Sequence, residues 1–343
     1  MMTRDEAIDL FGSPDLIGIG MAADALRRKL HPEGVVSYII DRNINYTNFC
    51  TEYCTFCAFY RPLGHAEGYI LPREVIFAKI QETLDLGGTG ILMQGGLHPD
   101  LKIEWYEDLF RSIKQRFKTH LHCLSSPEVV NIAEVSGLSI RDTIARLRDA
   151  GLDSIPGGGA EILDDGVRHR ISRLKCSSQE WVDVHLEAHR LGMRTTATMM
   201  FGCGETIEQR VNHLELVRRI QEETGGFTAF IPWTFQRENT SLGHSIREEA
   251  TAVEYLKTLA ISRLYLENIL NVQSSWVTQG LKTCQLGLRF GANDVGSIMI
   301  EENVVSCAGA HHRASEEELR RIIRDAGFIP RQRDTLYRTY FLN

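Results

Sequence analysis

Apolar and polar positions alternate in blocks along the chain. Eight short runs are rich in β-branched and aromatic residues: 35–46 (VVSYIIDRNINY), 90–96 (GILMQGG), 120–126 (HLHCLSS), 153–159 (DSIPGGG), 194–202 (RTTATMMFG), 227–235 (FTAFIPWTF), 270–277 (LNVQSSWV) and 293–300 (NDVGSIMI). Runs of this length, often closed by glycine or serine, read as strands buried on both faces, as in a parallel sheet. Between them, the stretches 73–86, 104–117, 140–150, 178–191, 206–223 and 248–266 carry apolar residues at helical spacing. In 73–86, for example, Val75, Ile76, Ile80, Leu84 and Leu86 approximate one stripe. A shorter element begins at Gly280.

Eight strands alternating with helices predict an α/β fold of the (β/α)₈ TIM-barrel type spanning residues 35–300. Residues 1–34 read as a helical extension covering one end of the barrel, and 301–343 as a helix and tail. That last helix, SEEELRRIIRDAG, opens on a serine cap with an acidic first turn and closes on Gly327. No low-complexity linker divides the chain, so one domain, 1–343, is expected. Barrel enzymes carry their chemistry at the C-terminal ends of the strands. There the sequence places three cysteines after the first strand, then MQGG, LSS, PGGG, MMFG and WTFQ after later ones.

A net charge of −7 over 343 residues argues against a generic nucleic-acid or membrane-surface binder. The basic run at Arg320, Arg321 and Arg324 reads as a solvated helix face. No run of about 18 apolar residues is present, and the opening MMTRDEAIDLFGSP lacks the apolar core of a secretory peptide. A cytoplasmic protein with reduced thiols is therefore expected. Of eight cysteines, Cys123, Cys176, Cys203, Cys284 and Cys307 are widely spaced and read as buried, inert thiols.

The other three stand in CTEYCTFC: Cys50, Cys54 and Cys57. With His65 they could form a Cys₃His zinc knuckle. A barrel has little need of such a staple. Three thiolates on a four-iron cube instead leave one iron free of protein ligands, which is what a catalytic metal site requires.

CTEYCTFC resembles the CxxxCxxC motif of the radical S-adenosylmethionine (SAM) superfamily, with Phe56 as the aromatic before the last cysteine. The segments NINYTNFCTEYCTFCAFYR, MQGGLHPDL, AGLDSIPGGGAEILDD, TTATMMFG, AFIPWTFQ, WVTQG and GANDVGS resemble its menaquinone and deazaflavin-cofactor branch, most closely the dehypoxanthine futalosine cyclases. Two departures are Ala66 in place of proline and Cys203-Gly204 in place of His-Val.

The resemblance implies a [4Fe–4S] cluster on Cys50, Cys54 and Cys57, at the C-terminal rim of the strands. S-adenosylmethionine would bind at its open iron, with Phe56 against the adenine. Gln94, Gly95 and Gly96 would then take the methionine amino group, and Glu161 the ribose hydroxyls. It also implies radical cyclisation of dehypoxanthine futalosine in menaquinone biosynthesis, with electrons from a reductant protein such as flavodoxin or ferredoxin. In the loop RPLGHAEGY, Tyr69 and His65 are the candidates for a late base. His98 and Arg289 are weaker candidates for contacts to an anionic substrate. The alternatives are aminofutalosine synthesis in the same branch and a non-catalytic iron–sulfur carrier or sensor.

Overall fold

The computed structural model describes residues 2–338, 340 and 341. Two helices, α1 (Arg4–Gly12) and α2 (Leu16–Leu30), precede β1 (Val35–Ile39) and β2 (Asp41–Ile44). Strands and helices then alternate: α3 (Arg73–Asp85), β3 (Gly90–Met93), α4 (Ile103–Arg116), β4 (His120–Cys123), α5 (Ser126–Ser136), α6 (Ile140–Ala150) and β5 (Ser154–Ile155). They continue as α7 (Asp165–Ile171), α8 (Ser178–Arg190), β6 (Arg194–Phe201), α9 (Ile207–Thr224), β7 (Phe227–Thr234), α10 (Ala252–Tyr265), β8 (Asn271–Val272), α11 (Trp276–Gly287) and β9 (Asp294–Ser297). The chain finishes with α12 (Glu316–Asp325), β10 (Ile329–Arg333) and β11 (Tyr340–Phe341).

Strands β2 to β8 form a parallel sheet in sequence order, and a second sheet has the order β11-β10-β1-β9. A parallel bridge between Gln273 and Asp294 joins β8 to β9. Because β1 and β2 are successive halves of one run, the two sheets make a ring. This is the α/β barrel architecture that the alternating pattern predicts.

Three features differ from the sequence expectation. Residues 35–46 do not form one strand but break at Ile40. β1 has β10 on one side and β9 on the other, while β2 pairs with β3. β10, from the region expected to be a helix and tail, thus occupies the edge of β1. At Trp276 the expected strand has already become α11, which kinks at Gly280 (φ 74°). Two helices, α5 and α7, were not anticipated. The start of α5 carries a full capping box of Ser125 and Glu128. The helices α1 and α2 pack against α9 and α10, and at the end of α2 the His31 Nε2 meets the Leu270 carbonyl at 2.8 Å, just before β8.

The floor of the ring is tied by one buried ion pair. Arg333 of β10 makes a bidentate contact with Asp294 of β9, with Nε–Oδ2 at 2.6 Å and Nη2–Oδ1 at 3.0 Å. Ser37 of β1 donates its hydroxyl to the same carboxylate at 2.6 Å, and Gly296 donates its N–H at 2.8 Å. Three neighbouring strands therefore share one carboxylate. Removing one member of a buried pair leaves an uncompensated charge, which costs about 3–5 kcal/mol. Arg333→Met should lower unfolding stability in urea by about that amount. A loss below about 1 kcal/mol would show that the pair does not tie the floor.

Candidate functional site

The loop after β2 is fastened before it reaches the first cysteine. Asn45 donates to the Gln94 carbonyl at 3.0 Å, and the Tyr46 hydroxyl donates to Glu128 Oε1 at 2.7 Å. Asn48 spans the loop, donating to the Glu67 carbonyl at 3.0 Å and accepting from the Tyr69 N–H at 2.9 Å. Beyond it the Cys50 N–H donates to Arg61 O at 3.0 Å, and the Arg61 guanidinium gathers the carbonyls of Ala58, Phe59 and Tyr60. In the middle, Thr55 donates its N–H to Ile171 O at the end of α7 (2.8 Å), and its own carbonyl accepts from the Leu242 N–H (2.8 Å). Each cysteine thus sits in a loop stitched on both sides.

Cys50 and Cys54 are buried and Cys57 half-buried. Burial pushes the Cys50 and Cys54 thiols up, and the neighbouring cysteines add to the effect. Lys175 opposes the rise at Cys54. A set of mutually repelling, buried thiolates calls for positive charge, which an iron–sulfur cluster supplies. Among the described residues no three His, Cys, Asp or Glu side chains converge closely enough for a single ion. His65 is exposed on its own loop, its Nδ1 accepting from the Glu67 N–H at 3.1 Å.

The QGG segment abuts this loop. A Cβ on Gly96 would lie 2.2 Å from Phe49 O and 2.9 Å from Cys50 Cβ, and one on Gly95 would lie 2.6 Å from the Tyr46 ring. Both glycines are therefore needed for the cysteine loop itself to pack closely. The Gly95 N–H donates to Glu128 at 2.9 Å, while the Gln94 side chain faces a cavity of about 330 Å³ inside the ring.

Glu161 lines the same cavity with a left-handed backbone (φ 42°). Its Oε1 accepts from Lys175 Nζ at 2.7 Å, and its Oε2 is buried without a partner. The Lys175 ammonium also lies 5.1 Å from the Phe56 ring centroid. Burial alone would lower the Lys175 pKa; Glu161 and Cys54 reverse this, and the ammonium is held charged. One lysine thus connects a cluster cysteine, the motif aromatic and the cavity carboxylate. Sequence reading missed it because RLKCSS has neither a motif nor a period. It also missed Glu52, a carboxyl of the cysteine loop with one buried, unpartnered oxygen, pushed up to about 7 by burial.

Other candidates lie elsewhere. Tyr69 is half-buried and does not line the cavity; burial and nearby Glu301 push its phenol up to about 12. His98 is buried near the loop, its Nδ1 accepting from the Asp100 N–H at 3.1 Å. Arg289 stacks on Phe328 and donates to Ala326 O, a structural role remote from the cavity. Cys203 is buried, with its N–H donated to Glu205 at 2.9 Å, and does not line the cavity. Of the five isolated cysteines four are buried, while Cys307 is only half-buried.

Residues 44–217 match the Radical SAM superfamily, and residues 224–342 match the CofH/MqnC C-terminal region. The chain belongs to the radical SAM superfamily. Membership brings the superfamily's cofactors, a [4Fe–4S] cluster and S-adenosylmethionine, and the thiol set and the free Glu161 oxygen fit them. The chain is 51% identical over 337 residues to the cyclic dehypoxanthine futalosine synthase of Halalkalibacterium halodurans, covering 98% of this chain and 90% of that one. The corresponding synthase of Streptomyces coelicolor is 46% identical, covering 98% and 85%. A 5-amino-6-(D-ribitylamino)uracil–L-tyrosine 4-hydroxyphenyl transferase of Methanothermobacter thermautotrophicus is 43% identical, covering 98% and 94%. Among solved radical SAM folds, methylornithine synthase (PylB) superposes with a TM-score of 0.73 at 19% identity, covering 96% of this chain and 94% of that one. The hydrogenase maturase HydG gives 0.76 at 13%, covering 98% and 74%.

The glycine contacts give a direct test. In Gly96→Ala the new methyl meets backbone, so the cysteine loop must shift. Overpacking of this kind costs about 1–3 kcal/mol. Anaerobically reconstituted Gly96→Ala should retain less than about half the wild-type iron and melt at lower temperature. Full iron loading with unchanged melting would show that the loop does not depend on this approach.

Proposed function

We propose that this radical SAM protein cyclises dehypoxanthine futalosine to cyclic dehypoxanthine futalosine, a step of menaquinone biosynthesis by the futalosine route. The supporting observation is near full-length identity of 51% to a cyclic dehypoxanthine futalosine synthase, in a chain whose cavity carboxylate, Glu161, is joined through Lys175 to Phe56 of the cysteine loop. When bound, the two cofactors together supply a 5′-deoxyadenosyl radical. The hydrogen of the fourth ribose carbon is transferred to that radical, giving 5′-deoxyadenosine; the ribose carbon then bonds to the benzoate ring, and a one-electron acceptor and a base take the electron and the proton whose loss restores aromaticity. The product is two hydrogens lighter than the substrate.

In this reading Cys50, Cys54 and Cys57 hold the cluster. Phe56 flanks the adenine, and Gln94, Gly95 and Gly96 face the methionine amino group. Glu161, fixed at one oxygen by Lys175, offers the other to the ribose diol of S-adenosylmethionine. Tyr69, half-buried in the loop outside the cavity wall, is the first candidate for the base that takes the late proton, and exposed His65 the second. The protein's larger contribution is position: it holds carbon against carbon and keeps water away.

A reductant protein such as flavodoxin or ferredoxin supplies the electron at the cysteine loop, where Tyr53 is 49% exposed. The ring takes strands from both matched regions, which supports one domain over 1–343. No helix among the described residues is long and apolar enough to cross a membrane, in keeping with work in the cytoplasm.

Iron-reconstituted protein with dithionite, S-adenosylmethionine and dehypoxanthine futalosine should yield 5′-deoxyadenosine and the lighter product by mass spectrometry. A product that gains the adenosyl group would instead indicate adenosyl addition. Deoxyadenosine without substrate conversion would contradict the proposal. Tyr69→Phe should lower kcat at least tenfold with His65→Gln within threefold of wild type; unchanged turnover in both would remove this loop from the chemistry.

A further inference from the structure

Three oxygens of the cavity wall lack a hydrogen-bond partner: Glu161 Oε2, Asp41 Oδ1 and Asn43 Oδ1. The first belongs to the cofactor site described above. The other two lie on β2, two residues apart, and strand geometry therefore turns both toward the inside of the ring. Ile44 and Arg42, between and beyond them, face the outer helices: Ile44 joins the apolar core, and Arg42 pairs with Glu82 of α3 at 2.7 Å. Counting strand residues down from Asn45 at the rim, the two acceptors lie about 7 and 13 Å deep.

The surroundings select the ligand chemistry. Asn43 is 6% exposed, and Asp41 Oδ1 is closed to solvent. Ser297 already donates to the Asp41 carboxyl. The Arg333 guanidinium, which also lines the cavity, is committed to Asp294. Asn43 pairs with Leu92 and Leu92 with His122. Burial keeps the His122 ring neutral, and its Nδ1 meets Ser154 Oγ at 2.6 Å. The buried atoms of β2 left without a partner on this wall are therefore two acceptor oxygens. Acceptors on a buried wall require donors from whatever fills it, and a carboxylate among them repels an anionic group. Hydroxyls satisfy both conditions.

We propose that Asp41 and Asn43 form a sugar-hydroxyl subsite: Asp41 Oδ1 and Asn43 Oδ1 each accept a hydrogen bond from a hydroxyl of the ribosyl part of the substrate. The sugar is gripped from below, its carbon–hydrogen face is turned toward Gln94 and Glu161, and the benzoate carboxylate points away from Asp41. This assignment rests on the cyclisation reading and names the part of the substrate that the deep wall recognises.

The test uses binding rather than turnover. Trp233 lines the same cavity, so its fluorescence reports occupancy of cluster-loaded protein with S-adenosylmethionine, without reductant. Asp41→Asn and Asn43→Leu should each raise the Kd for dehypoxanthine futalosine at least tenfold, with iron content and S-adenosylmethionine affinity unchanged. Asp41→Asn should melt at the same temperature as wild type or higher, because a carboxylate oxygen closed to solvent and without a partner is itself costly. A benzoate probe without the sugar should bind both variants as it binds wild type. A Kd within twofold of wild type in both variants, or a melting temperature that falls together with affinity, would overturn the subsite. Wild-type protein that binds dehypoxanthine futalosine without converting it would remove the cyclisation reading, while the variants would still decide the subsite. Failure of wild type to bind it would overturn both.

Discussion

The rest of the structure depends on a shared carboxylate. Asp294 receives the Arg333 guanidinium, the Ser37 hydroxyl and the Gly296 N–H, and so fastens β10, β1 and β9 together at the floor of the ring. The junction reinforces the parallel ladder that sets β10 along β1, above which the chain breaks at Ile40. The break is what releases β2 to pair with β3 and aims Asp41 and Asn43 into the cavity and the cysteine loop onto the rim. A bidentate arginine contact is strong in a buried setting because both charges are satisfied by hydrogen bonds as well as by each other.

At the rim, unfavourable charge is arranged to be relieved by what binds. The buried thiols of Cys50 and Cys54 resist ionisation. A lone lysine, Lys175, steadies Cys54 and Glu161 and lies over Phe56. Glu161 keeps one oxygen unpartnered in the cavity. These costs, borne by a fold that packs densely elsewhere, mark the place where the protein is complete only with its cofactors.

Much of this was legible in the sequence. Alternating apolar blocks gave the barrel, and the spacing of Cys50, Cys54 and Cys57 with QGG and PGGGAE gave the rim. Other parts were hidden for definite reasons. β10 reads IPRQR, with a proline and two arginines. It becomes a strand through its ladder with β1, and its Arg333 finds an acid 39 positions earlier in the chain. Lys175 sits in a polar stretch with no periodic signal, and its role exists only once α7 and its flanking loop bring it to Glu161. The polar residues of DRNIN alternate with Arg42 and Ile44, a period of two that a reading for apolar strands passes over. Tyr69 and His65 drew notice as proton carriers near the cysteines, yet the loop sets both outside the cavity wall.

The central claim is that this cavity presents a ribosyl carbon to the rim. It is tested most directly with dehypoxanthine futalosine carrying deuterium at the fourth ribose carbon, incubated with reduced, cluster-loaded protein and S-adenosylmethionine. The account predicts that the 5′-deoxyadenosine formed is one mass unit heavier and that the cyclic product has lost the label. Cyclic product that retains the deuterium, accompanied by unlabelled deoxyadenosine, would contradict it.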